Sequence, residues 1–331
     1  LNTTDSRLEF YNGTDWKRLS ETDATIPPDF TADFLVLAGG GSGGRAPSTP
    51  SAKNSGGGGA GGLRTSYGST SGGGCSAESS IGIVNGKSYT ITVGAGGPSY
   101  STGGSDSSLS GFGITTITSL GGGGGAGQSN SPAATNGGSG GGAYYNQTNG
   151  YGTACQGYDG GRATSTLQSG GGGGTGGVGQ NTGSTSPGGG GIGTIVSILP
   201  STDASTYSIG EVSGTDVYYG GGGGSGGMIR LNQSDINGGP GGLGGGGNGG
   251  GHDGAGNPTS PEAGSSNSGG GGGGCTSGDS VSGAGGSGVV ILRYPNTVTI
   301  TVGAGLTSIT TTDGSDKITI FTAGSDTVSF S

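Results

Sequence analysis

Gly-x-Ser-x-Gly occurs three times in this 331-residue chain, at Gly40 to Gly44, Gly137 to Gly141 and Gly223 to Gly227. In the right setting that spacing exposes a serine nucleophile, but the setting needs a strand before the turn, a helix after it and a histidine base. The only histidine, His252, lies in a Gly/Asn stretch, so the three matches read as by-products of glycine density. Gly86-Lys87-Ser88 has the end of a phosphate-binding loop, yet the position that should carry its first glycine is Ile81. A hairpin turn at Asn85-Gly86 accounts for these residues better. Asp313 with Asp316, and His252 with Asp253, place ligand atoms near turns, whereas a calcium loop uses more carboxylates at regular spacing. They read as turn formers. The expectation is a chain with no catalytic residue, no metal site and no cofactor, and therefore not an enzyme.

Two other residue types carry chemistry. Cys75, Cys155 and Cys275 allow at most one disulfide plus a thiol, or three small buried thiols serving as compact apolar residues. Tyrosine is the stronger signal. Tyr144, Tyr145, Tyr151 and Tyr158 crowd one polar insert with Arg162 just beyond, and Tyr218 and Tyr219 occupy another. Tyrosine supplies rigid, amphipathic contact area at low entropic cost, as binding loops and sugar-stacking sites require. These seven residues are the expected receptor-binding set. The competing reading makes the tyrosines local mini-cores that cover the ends of a glycine-rich body.

What could position them is set by composition. Glycine fills 93 of the 331 positions, apolar residues make up only 26% and charged residues 9%, with a net charge of −9. Such a chain lacks the means for a conventional aliphatic core, but it is also too weakly charged for self-repelling disorder. Its glycines come in unbroken runs with few prolines, which excludes collagen. Each glycine inside a helix costs about 1 kcal/mol relative to alanine, so ordinary helices are excluded too. The acidic balance, with no Lys/Arg cluster, argues against nucleic acid as a partner.

Along the chain, residues 1–33 read as a hairpin module, Arg7 to Tyr11 and Trp16 to Leu19 about an Asn12-Gly13 turn. Residues 34–295 alternate glycine runs with polar inserts and open and close on apolar strands, Phe34 to Ala38 and Gly288 to Tyr294. Within them, Ile81 to Val84 and Lys87 to Val93 read as a hairpin, and Phe112 to Leu120, Gly193 to Leu199 and Glu211 to Tyr219 as further strands. Residues 296–331 alternate as a four-strand antiparallel meander with Gly-Ser-Asp turns at 314–316 and 324–326. A glycine run can bury only backbone. The extended polyproline II helix leaves every N–H and C=O pointing sideways, and only glycine lets neighbouring helices approach closely enough to pair them. The expected fold is mainly β and irregular, a polyglycine II sandwich flanked by short antiparallel β elements with essentially no α-helix.

Phe34 to Gly44, Tyr89 to Gly97, Gly104 to Ser108 and Gly288 to Pro295 resemble the opening, early hairpin and closing strand of glycine-rich domains in bacteriophage tail fibres. Ser6 to Trp16 is similar to a short module of fibre and virion proteins of marine phages, and more distantly the architecture resembles polyglycine-bodied receptor-binding tip adhesins. The resemblance implies binding without chemistry: a virion component, extracellular, that meets a host surface protein or glycan through variable loops and other virion proteins elsewhere, with a homo-oligomer such as a trimer among its assemblies. The alternative is an architectural part without recognition, a capsid decoration, fibre shaft or filament subunit.

Overall fold

The structure, a computed structural model, describes residues 9–11, 16–18, 26–46, 54–128, 132–164, 168–182, 186–227, 237–252, 258–276 and 281–331. In chain order the strands are β1 (Glu9–Tyr11), β2 (Trp16–Arg18), β3 (Phe30–Leu37), β4 (Leu63–Thr65), β5 (Ile81–Ile83), β6 (Ser88–Val93), β7 (Ser107–Gly111), β8 (Ile114–Ser119) and β9 (Thr194–Ile195). After the helix α1 (Ser201–Tyr207) come β10 (Glu211–Ser213), β11 (Asp216–Tyr219), β12 (Gly251–His252), β13 (Pro258–Thr259), β14 (Val289–Pro295), β15 (Ile300–Val302), β16 (Leu306–Asp313) and β17 (Asp316–Phe330). Among the described residues the fold is mainly β with one short α-helix, as the composition requires.

Ten strands form one antiparallel sheet in the order β4-β3-β14-β17-β6-β7-β8, with β5 on β3 and with β15 and β16 on β17. Strands β3 and β14 read as continuous apolar runs because both of their faces are covered. Phe34, Val36, Val290, Leu292 and Tyr294 face one core with Tyr89, Ile91, Phe321 and Phe330. Leu35, Leu37, Val289 and Ile291 face a second core, closed by Ile198, Ala204, Ile209, Val217 and Tyr219. The second core explains residues 194–219: a small unit of β9, α1, β10 and β11 lies over the sheet and supplies its missing cover. The helix falls in the longest glycine-free stretch of that insert, Thr194 to Ile209, and Gly210 follows it with a positive φ of 63°.

The glycine zone is built as anticipated, from backbone. In the run 56–62, Gly56, Gly59 and Gly62 donate their N–H groups to Ala126, Gly123 and Leu120. Gly57 and Ala60 donate to Gly170 and Gly173, and Gly58 and Gly61 to Gly272 and Gly269. Residues three apart thus address the same neighbour, which is the signature of a helix with three residues per turn. Its carbonyls accept in the same rhythm, Gly56, Gly59 and Gly62 from Gly44, Gly41 and Ala38, Gly57 and Ala60 from Gly142 and Ser139, and Gly58 from Gly223. One polyglycine II helix is therefore ringed by six others, and all of its residues are buried. Close approach makes glycine obligatory at Gly58, where a methyl group would collide with the carbonyl of Gly41. Each such bond is worth about 1 kcal/mol net, so the body holds by their number and cooperativity.

Two expected turns work out differently. The Asn85-Gly86 turn forms, with Gly86 at φ 69° and Lys87 donating to Val84 at 3.3 Å, but its arms do not pair: β5 joins β3, and β6 lies between β17 and β7. Each arm gains more from a core strand than from the other. In the C-terminal stretch, the turn at Gly314-Ser315 closes one long hairpin of β15 and β16 against β17, and Gly324-Ser325-Asp326 lies within β17. The expected four-strand meander is thus a two-armed hairpin. On its other edge β17 pairs with β14 and β6, so residues 296–331 are part of the main sheet.

Candidate functional site

The register of the six-around-one bundle decides which connections share an end. Gly62 is level with Ala38 and Leu120, and Gly61 with Gly269, so this end of the body runs into β3, β4 and β8. At the other end, Gly56 is level with Gly44 and Ala126, and Gly57 with Gly142 and Gly170. There the chain leaves the body into the connections after Gly44, Ala126 and Ala143 and returns at Gly170. Further bonds bring other segments to the same level: Gly226 N–H to Ser55, Gly188 N–H to Ser169, Gly250 N–H to Gly274, and a bridge between Asn54 and Thr276. The sheet end carries tight returns, such as those at 174–177 and 243–246. At the loop end stand the described residues that begin and end the long polar connections. Residue 29 and the C-terminal strand belong to the sheet end, where Asp29 N–H meets Ile83 and Gly86 N–H meets Phe330.

Across the loop end runs a chain of contacts among sequence-distant loops. Tyr144 is buried, its hydroxyl pKa raised by burial against the opposing effect of a hydrogen bond with Gln128. The Gln128 N–H donates to the Arg45 carbonyl at 3.1 Å. The Arg45 guanidinium lies 5.3 Å from the Tyr100 ring centre, a cation–π contact, and Tyr100 N–H donates to Ser282 Oγ at 3.0 Å. Arg45 is exposed and Tyr100 is 41% exposed. Neither was in the expected set, because nothing in the sequence ties position 45 to position 100.

The expected receptor-binding residues are divided by the fold. Tyr144 and the half-buried Tyr145 stand at the loop end. Arg162 is exposed close by, its backbone held by Asn181 and Thr182, and it lines a depression of about 270 Å³ with Asn149, Asp159 and Asn181. Tyr151, 51% exposed, and the half-buried Tyr158 lie on the flank, where Gly137 N–H binds the Tyr151 carbonyl and Tyr158 N–H binds Gly174. Tyr218 is half-buried at the sheet end, beside a groove of about 320 Å³ with Ile192 and Ile195. Tyr219 is a correction: it is fully buried in the second core, its hydroxyl has no hydrogen-bond partner among the described residues and its pKa is raised by desolvation. It can touch no receptor in this fold. It closes the core because β11 alternates and Val217 and Tyr219 share the inward face.

Ser42, Ser139 and Ser225, the central residues of the three Gly-x-Ser-x-Gly matches, are buried within glycine runs. Cys75 and Cys155 form a disulfide that ties the segment after β4 to the turn at 153–157, while the Cys275 thiol is buried and accepts the Ala46 N–H at 2.9 Å. Among the described residues no group of His, Cys, Asp and Glu is arranged to hold a metal ion. The strand frame, the polyglycine lattice and the loop end together define a glycine-rich structural domain. Residues 18–295 match the family described as glycine-rich domain, and the chain belongs to that family. No curated protein matches the chain.

Proposed function

We propose that the protein is a non-enzymatic virion structural component, a bacteriophage tail fibre or adhesin subunit that binds a receptor on the host surface. The observation that carries this reading is the gathering of the described ends of the long polar connections at one end of a hydrogen-bonded body, opposite residue 29. A rigid scaffold with loops at one end suits recognition, because the loops can vary without disturbing the backbone lattice beneath them. The ligand chemistry fits a surface protein or glycan: tyrosine rings and amides offer stacking and hydrogen bonding, and Arg45 and Arg162 add charge-assisted donors. The sheet end would then face other virion proteins, and the protein would work outside the cell.

Adsorption of virions carrying the Arg45→Ala, Tyr145→Ala and Arg162→Ala substitutions together, at positions that are exposed or half-buried, tests this. Recognition predicts at least tenfold slower adsorption with an unchanged melting temperature. Unchanged adsorption would transfer the role to architecture, as a capsid decoration, fibre shaft or filament subunit.

A further inference from the structure

The outer edge of β16 is an open hydrogen-bonding strand. Asp313 and Asp316 close the two-residue turn Gly314-Ser315, and alternation along an antiparallel ladder then directs the backbone groups of Ile309, Thr311 and Asp313 toward β17. Those of Ser308, Thr310 and Thr312 point the other way. Strand β16 pairs with β17 alone, and the outward N–H and C=O groups of these three residues have no partner among the described residues. Thr310 and Thr312 are exposed. Sheet edges of this length are ordinarily blunted by lysine, proline or an inward charge. From Leu306 to Thr312 this one has none.

We infer that β16 is a self-association edge that pairs antiparallel with β16 of a second copy about a twofold axis at Thr310. The pattern is self-complementary: Thr310 meets Thr310 of the second copy, Ser308 meets Thr312, and the three outward residues of each copy complete one ladder. The charge pattern selects the same occupant. Each chain carries a net charge of −9, yet the two meet over an uncharged stretch of hydroxyls, and each Asp313 falls opposite a Thr307. Cross-strand threonine pairs are favourable and no like charges are opposed. The pairing is isologous, so it closes at two copies. It joins the two main sheets at the sheet end and leaves both loop ends clear, and it stands independently of the receptor reading.

Light scattering of the full chain over a range of concentrations tests the inference, with hydrogen exchange read on the same samples. The expected result is a mass twice the 30.8 kDa of one chain, with Ser308, Thr310 and Thr312 amides exchanging at least tenfold more slowly in the dimer range than on dilution. Thr310→Pro, which removes an outward N–H, and Thr310→Lys, which opposes two charges on the axis, should each return the mass to one chain with the thermal transition of the diluted wild type. Hydrogen exchange on the wild-type chain gives a reading that needs no variant to fold. A single-chain mass at every concentration, a trimer, or a dimer that survives both substitutions with those amides unprotected overturns the inference.

Discussion

The ring of Phe330 meets that of Tyr294 edge-on, with centroids 5.3 Å apart, although Tyr294 is in register with Lys317 at the far end of the same strand as Phe330. An extended strand rises about 3.3 Å per residue, so β17 must double over between these points. The fold lies at Gly324, whose φ is 98° and where a side chain would strike the Gly305 carbonyl. The extra residue Thr322, where the register with β16 shifts, adds to the bend. This corner brings β14 and β6 to one core and makes Phe330 its keystone, packed also against Phe30 and Tyr89. Phe330→Ala should lower the unfolding free energy by about 3–5 kcal/mol, the cost of truncating a buried aromatic, as read by denaturant titration.

Gly58→Ala should destabilise by about 1–3 kcal/mol, because the methyl group meets backbone from a helix that cannot retreat without breaking its own bonds. Gly103→Ala, on an exposed segment where the methyl group would meet only the Gly122 carbonyl oxygen, at 3.2 Å, should cost less, within about 1 kcal/mol. Equal losses at both positions in chemical denaturation would contradict a lattice that depends on close approach.

Reducing the Cys75–Cys155 disulfide, or replacing both cysteines by serine, removes a crosslink between positions separated by 80 residues. The expected loss is about 2–4 kcal/mol. It should appear as a lower melting temperature in reductant for the wild type and as no further effect of reductant on the double variant.

Acid and alkali should act at different places. Backbone N–H groups of Gly305 and Thr327 hold the Asp326 carboxylate below the usual range, at 2.9 and 2.7 Å. A folded pKa below the unfolded one stabilises above about pH 3.9 and loses that contribution as pH falls through the lowered value. Asp326→Ala should flatten this acid limb of the melting curve. Tyr219, Tyr144 and Tyr294 are shifted upward by burial, so their contribution holds below about pH 10 and is lost as pH rises beyond it. An absorbance titration should show these tyrosines ionising late, together with unfolding.

Much of the frame is legible in the residues. Phe34 to Ala38 and Gly288 to Tyr294 read as buried strands and are the adjacent β3 and β14, because runs apolar at every position suit a sheet covered on both faces. The Asn85-Gly86 turn is legible as a turn but not as a junction between different partners, since turn chemistry is local and pairing is not. Tyr144, Tyr145 and Arg162 are identifiable as polar-insert residues. Their separation from Tyr218 and Tyr219, and the pairing of Arg45 with Tyr100, depend on contacts between loops far apart in the chain.

The glycine runs by themselves determine that the interior is made of backbone. A residue with no side chain can bury nothing else, and three residues per turn is the geometry that presents its N–H and C=O groups to neighbours. They do not determine which run lies beside which. Gly58 and Gly172 offer the same groups to any partner, so neighbours are chosen elsewhere, by the apolar strands that fix where each run enters the body. Only that tertiary registration decides that the polar loops share one end, that Tyr219 is core, and that β16 keeps an open edge.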